Sequence, residues 1–294
     1  MSERKRVIIT GISSELMQSF VALIDPKKYE VIGISRNPEG IHMPGVQIVR
    51  GDILAIEELG PIFKDCEIVV HAAAITHSFS ETPYYDVNLQ ATKDLVDLSL
   101  NTGVNKFVFI SSRAAGEKSG AYGRSKILAE TYIQEKIQDW LILRPSEIFG
   151  GDKKEGIDKL IRDALQKKIV SCPVGIRSKL YPLHIKDAAE LMYRYGFDEE
   201  TDNKVYTING PSAYSFRDII QAVGKAAGKR HIILPLPRIL LFFARWIIKL
   251  FSLNLGFVPD QVDRLYSEKE HEKINYKFFT LEDYLEESLK SIKQ

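Results

Sequence analysis

The first half of the chain alternates short, nearly unbroken apolar runs with longer stretches whose apolar residues recur every three or four positions. Arg6–Thr10, Tyr29–Ile34, Val46–Arg50, Glu67–His71, Lys106–Ser111 and Trp140–Arg144 are rich in β-branched and aromatic residues. Continuous apolar runs of this kind are the pattern of strands covered on both faces. Between them, Leu16–Leu23, Thr82–Leu100 and Ala121–Ile137 have helical spacing. Strand and helix alternating at this pitch predict a parallel sheet with right-handed crossovers, hence an α/β, doubly wound fold. Beyond Arg144 the alternation loosens. Asp158–Lys167 reads as a helix, Leu180–Ile185 as a strand and Lys186–Tyr195 as a helix, and Val205–Ile208 with Ser215–Gly228 forms a further strand–helix pair. Residues 230–259 are strongly apolar, and the tail from Asp260 is polar and helical. The expected division is a first domain at 1–150, supplemented by a returning strand and helix near 178–195, and a smaller domain made mainly of 151–294.

Composition narrows the class without naming a function. Of 294 residues, 45% are hydrophobic and 27% charged, which excludes a disordered, collagenous or coiled-coil chain. Lys plus Arg number 40 against 39 Asp plus Glu, so the net charge of +1 carries no nucleic-acid signature. Cys66 and Cys172 form no CxxC pair, and no ligand cluster suggests a metal. The opening MSERKRVIIT runs into the first strand without a signal-peptide apolar region, so the expected compartment is cytoplasmic.

The candidate chemistry begins at the first strand–helix turn, Thr10-Gly11-Ile12-Ser13-Ser14-Glu15-Leu16-Met17. Free backbone N–H groups at a helix start favour a diphosphate there. Gly11 supplies the turn and Ser13 or Ser14 the helix cap, whereas Ser14 and Met17 stand where a dinucleotide fingerprint has glycines. Arg36 follows the second strand, where an acidic residue would hold a ribose 2′-hydroxyl; arginine instead suits a 2′-phosphate, which favours NADP over NAD. Asp52 and Ile53 follow the third strand, within reach of an adenine, and Ala72, Ala73 and Ala74 let a cofactor lie against the backbone.

Tyr122 and Lys126 are four residues apart and share a helical face. An ammonium beside a phenol favours the phenolate, so Tyr122 can exchange a proton with a substrate hydroxyl or carbonyl near neutral pH. Ser112, after the fifth strand, can hydrogen-bond the same oxygen.

The order and spacing of these segments resemble the extended short-chain dehydrogenase/reductases, specifically the NAD-dependent epimerase/dehydratase family. The shared motifs are TG after the first strand, GD after the third, HAAA after the fourth, Asn88 with Thr92 in VNLQAT, SS, YGRSK, Leu143-Arg144-Pro145 with Phe149-Gly150, and His184-Ile185-Lys186-Asp187. The resemblance implies a Rossmann domain binding NAD(P) and a C-terminal substrate domain. It also implies catalysis by Ser112, Tyr122 and Lys126, with Asn88 bracing the site. The expected reaction is oxidation, reduction or epimerisation at a secondary alcohol or ketone of a nucleotide-linked or lipid-linked sugar. Two alternatives stay open: a non-catalytic nucleotide-binding scaffold or sensor subunit, and a reductase of an isoprenoid or sterol-like alcohol. Arg113-Ala114 after Ser112 replaces the acidic pair of sugar-nucleotide dehydratases, which argues against a 4,6-dehydratase. Leu180 stands where family epimerases carry a diphosphate-binding arginine, so Arg177 or Lys179 is the candidate for the substrate diphosphate; His184 is expected to be a packed strand-end histidine, and a homodimer is a candidate assembly.

One segment stands outside this scheme. No Asp or Glu occurs from Ile219 to Pro259, whereas Lys225, Lys229, Arg230, Arg238, Arg245 and Lys249 do. Across residues 238–253, Arg238, Arg245 and Lys249 fall on one narrow helical stripe. Two readings are open: a helix buried in a domain or dimer interface, and a helix lying on an anionic membrane surface through its basic stripe and broad apolar face. In the membrane reading, Leu241→Glu with Phe242→Glu releases the protein from lipid.

Overall fold

The computed structural model describes residues 4–151, 156–198, 203–251 and 258–292. In the first half the elements are β1 (Lys5–Thr10), α1 (Glu15–Val21), β2 (Tyr29–Ser35), β3 (Val46–Arg50), β4 (Ile68–His71), α2 (Thr82–Tyr85), α3 (Ala91–Asn101), β5 (Lys106–Ile110), α4 (Gly120–Lys136) and β6 (Trp140–Pro145). The second half carries β7 (Ile148–Phe149), α5 (Gly156–Gln166), β8 (Ile169–Pro173), β9 (Leu183–His184), α6 (Ile185–Tyr193), β10 (Lys204–Ile208), α7 (Phe216–Ala227), β11 (Ile232–Leu236), α8 (Arg238–Phe251), α9 (Pro259–Tyr266) and α10 (Leu281–Ile292). Seven parallel strands form the main sheet in the order β10-β6-β5-β4-β1-β2-β3.

The unbroken apolar runs follow from this topology, because successive side chains of a strand point to opposite faces and here both faces are covered. Val7, Ile9, Val70, Val108 and Leu143 pack against Met17 and Phe20 of α1 and Leu191 and Met192 of α6. On the other face, Ile8, Val69, Phe107, Phe109 and Ile142 meet Leu95 and Val96 of α3 and Ala129 and Ile133 of α4. Strand order reverses between β1 and β4, which opens a crevice at their carboxyl ends.

Three local expectations are corrected. The stretch Thr82–Leu100 is not one helix: a π turn, Asp86–Gln90, separates α2 from α3. The expected strand near 178–195 is reduced to β9, which pairs with β7 outside the main sheet. The seventh strand is instead β10, paired with β6 from Lys204↔Leu141 to Ile208↔Pro145, while α6 still returns to pack on α1. The second half has its own core: α5 and α7 pack behind a two-stranded parallel ribbon of β8 and β11, and α10 lies on α7. A Ser215–Asp218 capping box starts α7 and Gly228, at φ 65°, ends it.

α8 also departs from expectation. The described cations of its stripe turn toward α9: Arg245 pairs with Asp263 at 3.0 Å, and Arg238 lies over the rings of Phe242 and Tyr266. Leu241 and Phe242 are half-buried, and Ile239, Phe243, Trp246 and Leu250 face solvent. A carboxylate and an aromatic ring on α9 give these two cations partners, Arg245 half-buried and Arg238 still exposed. The side chain of Lys249 and residues 252 and 253 lie outside the described set.

The two layers are joined by a buried ionic contact. Glu130 of α4 accepts from Ser111 Oγ and from Arg144 Nε of β6 at 3.0 and 3.1 Å. Glu130→Ala leaves the Arg144 guanidinium without its buried partner, and a loss of about 3–5 kcal/mol is expected. Urea denaturation checks this; an unfolding midpoint equal to that of the wild type refutes it.

Candidate active site at the crevice between β1 and β4

Gly11 sits at φ +73°, and a Cβ there would meet Ala73 N at 2.7 Å and the Ala72 carbonyl carbon at 2.8 Å. Only glycine lets the turn after β1 lie this close to the backbone after β4. Ser14, not Ser13, is the helix cap, its hydroxyl accepting from Met17 N at 3.3 Å. Ser13 is exposed, Glu15 half-exposed and Leu16 buried in the sheet–helix core. Met17 is fully buried in that same core, filling the space where a fingerprint glycine would bring helix and strand together.

The turn is tied to the rest of the site by a buried polar chain. Ala72 N and Ala73 N both donate to Thr10 Oγ1 at 3.2 Å. Thr10 Oγ1 lies 2.6 Å from His71 Nδ1, and His71 Nε2 lies 2.9 Å from Thr92 Oγ1, which donates to Asn88 O. Because Thr92 spends its proton on Asn88, it accepts from His71 Nε2–H, and His71 Nδ1 in turn accepts from Thr10. Asn88 is carried by the π turn, a feature often found at functional sites. Its amide exchanges hydrogen bonds with Ile75, at 2.8 and 3.0 Å, and reaches Ser125 Oγ at 3.2 Å. Ser125 Oγ donates to Tyr122 O at 2.8 Å, so the chain ends in α4.

Tyr122 and Lys126 are both buried, at 6% and 1% exposure, while Ser112 is half-buried and accepts from Ala114 N. Lys126 Nζ donates to Ile110 O at 2.9 Å and lies 3.9 Å from the centre of the Phe109 ring. Burial lowers its pKa to about 7, against the opposing pull of Glu130, so the ammonium can lose its proton near neutrality. Helix α9 closes on the same face: Asp260 Oδ1 accepts from Tyr122 N at 3.1 Å, and Arg264 lies 4.5 Å above the Tyr122 ring while pairing with Asp260 at 2.8 Å. Arg264 also donates to Thr76 O, and Gln261 bonds His77. Neither Asp260 nor Arg264 stood out in the sequence, because their partners lie more than a hundred residues upstream.

Arg36 is exposed just beyond β2, and Asp52 follows the neighbouring strand β3, whose register ends at Ser35↔Arg50. Asp52 Oδ1 accepts from Leu54 N and Ile53 is buried. Ala72, Ala73 and Ala74 are half-exposed along the crevice. Arg113, following Ser112, is buried against Glu147 at 2.8 Å and donates to Lys179 O at 2.9 Å. Burial alone would raise the Glu147 pKa, but Lys269 and Arg113 pull it down to about 2. Lys179 also lines a cavity of about 310 Å³ with Ser178, Ser215, Arg217, Val174 and Ile233. Arg177 is exposed and does not line it. His184 caps α6 and packs on Phe149 and Phe279; its burial lowers the pKa to about 4. Among the described residues no grouping of His, Cys, Asp and Glu could hold a metal ion.

Burial, with help from the Lys126 ammonium, lowers the His71 pKa from 6.5 to about 3. The unfolded chain therefore binds this proton first, and His71 adds stability above pH 6.5 that is lost as pH falls toward 3. The contribution to the slope reaches at most about 1.4 kcal/mol per pH unit. Nitrogen-15 NMR should show a neutral Nε2–H ring from pH 8 to pH 5; titration of the folded protein near 6.5 contradicts the assignment.

The family model of the NAD dependent epimerase/dehydratase family matches residues 7–208. Mitochondrial NADH dehydrogenase [ubiquinone] 1 alpha subcomplex subunit 9 of Dictyostelium discoideum is 26% identical over 218 residues, 73% of this chain and 60% of that protein. The chain thus matches about half to three-fifths of the length of such subunits. UDP-glucose 4-epimerase of Vibrio cholerae is 24% identical over 289 residues, 89% of this chain and 85% of the relative. Among solved structures, UDP-glucose 4-epimerase of Thermus thermophilus in complex with NAD superposes with a TM-score of 0.66 at 22% identity, covering 79% of this chain and 86% of that one. With a single model running from β1 to the end of β10, across the whole main sheet and the crevice, the chain belongs to the NAD-dependent epimerase/dehydratase family.

Proposed function

We propose that the chain is an NAD(P)-dependent epimerase or reductase acting at a secondary alcohol or ketone of a sugar carried on a diphosphate. What supports this is that Tyr122 and Lys126 share α4, which is hydrogen-bonded to the Gly11 turn through Ser125, Asn88, Thr92 and His71, and that Lys126 Nζ binds the Ile110 carbonyl two residues before Ser112. The crevice fits a dinucleotide. Gly11 leaves no room for a side chain, Ala72, Ala73 and Ala74 present a smooth wall, and the Ser14-capped start of α1 offers backbone donors. Gly11, Ser13, Ser14, Glu15 and Leu16 would border the diphosphate, Asp52 and Ile53 the adenine, and Arg36 a 2′-phosphate. When bound, the nicotinamide supplies hydride transfer at the carbinol carbon.

The protein's own part is to hold the oxygen and move its proton. Tyr122 exchanges the proton at that oxygen, Ser112 orients it by a hydrogen bond, and Lys126 in its charged form stabilises the phenolate. Arg113 is engaged with Glu147, and no carboxylate follows Ser112, so the residues for an elimination step are missing there. Lys179 and Arg217 border the 310 Å³ cavity, where they suit the diphosphate of the substrate better than Arg177 does. Lys179 O is joined to Arg113, which ties the cavity wall to the residue after Ser112.

A second reading is a non-catalytic nucleotide-binding subunit. Its support is the likeness to proteins named as subunits of an NADH dehydrogenase. The retained Ser112, Tyr122 and Lys126 favour catalysis. Identifying the nucleotide released from purified protein by acid, then assaying UDP-hexoses for interconversion or reduction, tests both readings. No bound or bindable nicotinamide nucleotide overturns the first, and binding without turnover selects the second.

Two outcomes are expected of variants. Tyr122→Phe should lower turnover at least ~10²-fold with an unchanged melting temperature; near-wild-type turnover removes Tyr122 from the chemistry. Arg36→Ala should weaken NADP(H) more than NAD(H) by about 1.5–3 kcal/mol, the worth of a hydrogen bond to a charged group. Titration calorimetry showing equal losses for both nucleotides rejects a role at the 2′-phosphate.

A further inference from the structure

We infer that α8, with the adjoining ribbon of β8 and β11, docks the protein flat on an anionic lipid bilayer. The residues presented are not Leu241 and Phe242, the pair named from the sequence, which are half-buried. At ~100° per residue, Ile239, Phe243, Trp246 and Leu250 fall within an arc of roughly 60°. All four are between 57% and 77% exposed, a degree of exposure that large apolar side chains rarely share on one helix face. Phe243 and Trp246 stack at 6.0 Å between ring centres. The opposite side of α8 is held to the protein by buried Ile248, by Phe242 against Tyr266 and by the Arg245–Asp263 pair. Docking therefore needs no rearrangement of the helix.

A second group of exposed apolar residues lies on the ribbon, which Pro237 alone separates from α8 in the sequence. Val170, Cys172 and Ile233 face the domain core, leaving Ile169, Ile232 and Leu234 on the outer side, each at least half exposed. Lys168, Lys229 and Arg230 are exposed where the ribbon begins, Lys225 is exposed on the last turn of α7, and Arg238 is exposed at the start of α8.

The charge pattern selects the occupant. From Ile219 to Pro259 the sequence holds six cations and no carboxylate. A second copy packed about a two-fold axis would set this basic segment against itself, at a repulsive cost. An anionic membrane surface satisfies both parts at once, taking the apolar face into the acyl boundary and the lysines and arginines at headgroup level. With 14 residues, α8 is too short to cross a bilayer, and no described helix is long and apolar enough to do so. Through the Arg245–Asp263 pair, α8 holds α9, whose Asp260 and Arg264 rest on Tyr122. Docking thereby sets the start of α4, with Tyr122, one helix away from the lipid surface.

The test is co-sedimentation of the full chain with vesicles of 3:1 phosphatidylcholine and phosphatidylglycerol, against phosphatidylcholine alone. Binding should be at least about tenfold stronger to the anionic vesicles at low salt and should fall as salt rises. Phe243→Glu with Trp246→Glu should reduce binding at least about tenfold, leaving the melting temperature and nicotinamide-nucleotide affinity unchanged. Lys229→Glu with Arg230→Glu should weaken binding only to the anionic vesicles. In a Trp140→Phe background, Trp246 fluorescence should shift to shorter wavelength on adding anionic vesicles. Wild-type protein remaining in the supernatant at low salt overturns the proposal. So does a dimer in sedimentation velocity that the Phe243→Glu, Trp246→Glu variant dissociates, because the face is then an interface between copies. Nucleotide affinity and turnover report on the catalytic reading independently, so either can fail without the other.

Discussion

The arrangement depends first on a run of buried hydrogen bonds with a single sense, from the backbone after β4 through Thr10, His71 and Thr92 to Asn88. Every donor in it has an acceptor only if His71 is neutral and carries its proton on Nε2. A chain with one consistent direction is strengthened by its low-dielectric surroundings, whereas one broken link leaves a buried polar group unpaired at about 1–3 kcal/mol. Four separate stretches of sequence are brought into register by it: the glycine turn, the end of β4, the π turn and α4. The geometry of the candidate site is a consequence of this satisfaction rather than of apolar packing, which tolerates small displacements.

A second set of polar contacts couples the C-terminal half to the crevice. Asp260 and Arg264 clamp the start of α4, and Glu147 gathers Arg113, Lys269 and the Tyr181 amide. Charges so far from water are costly unless each is paired, so the two halves meet in a specific register or leave carboxylates stranded. The consequence is that the start of α4 is held from both sides: by Asn88 and Ser125 on one, and by α9 on the other. Gly120, at φ +72°, allows α4 to start beneath Asp260, whose carboxylate occupies the place of a Cβ.

The outermost layer follows a different physics. α8 buries Ile248 and its cations find partners on α9, while Ile239, Phe243, Trp246 and Leu250 are left toward solvent. Arg245 thus turns inward while four large apolar residues turn outward, which is unusual for a surface helix packed on a core.

Sequence alone determined what rests on local periodicity and backbone demand. The strands of the first half declared themselves through continuous apolar runs, the turn at Gly11 through a glycine before a capping serine, and the Tyr122–Lys126 face through helical spacing. The fold class and family were legible for that reason. What local pattern does not encode is which distant segments satisfy one another. A strand at Leu180–Ile185 and one at Val205–Ile208 look alike in one dimension; only pairing with β6 places the second in the main sheet and leaves the first two residues long. The π turn is invisible to a count of apolar positions, because its cause is Asn88 reaching Ile75 and Ser125. Asp260 and Arg264 read as an ordinary polar tail until α9 meets Tyr122. The direction in which α8 faces was decided in the same way: periodicity defines the two faces of a helix, but only the neighbours that tertiary structure supplies, here Asp263 and Tyr266, determine which one is buried.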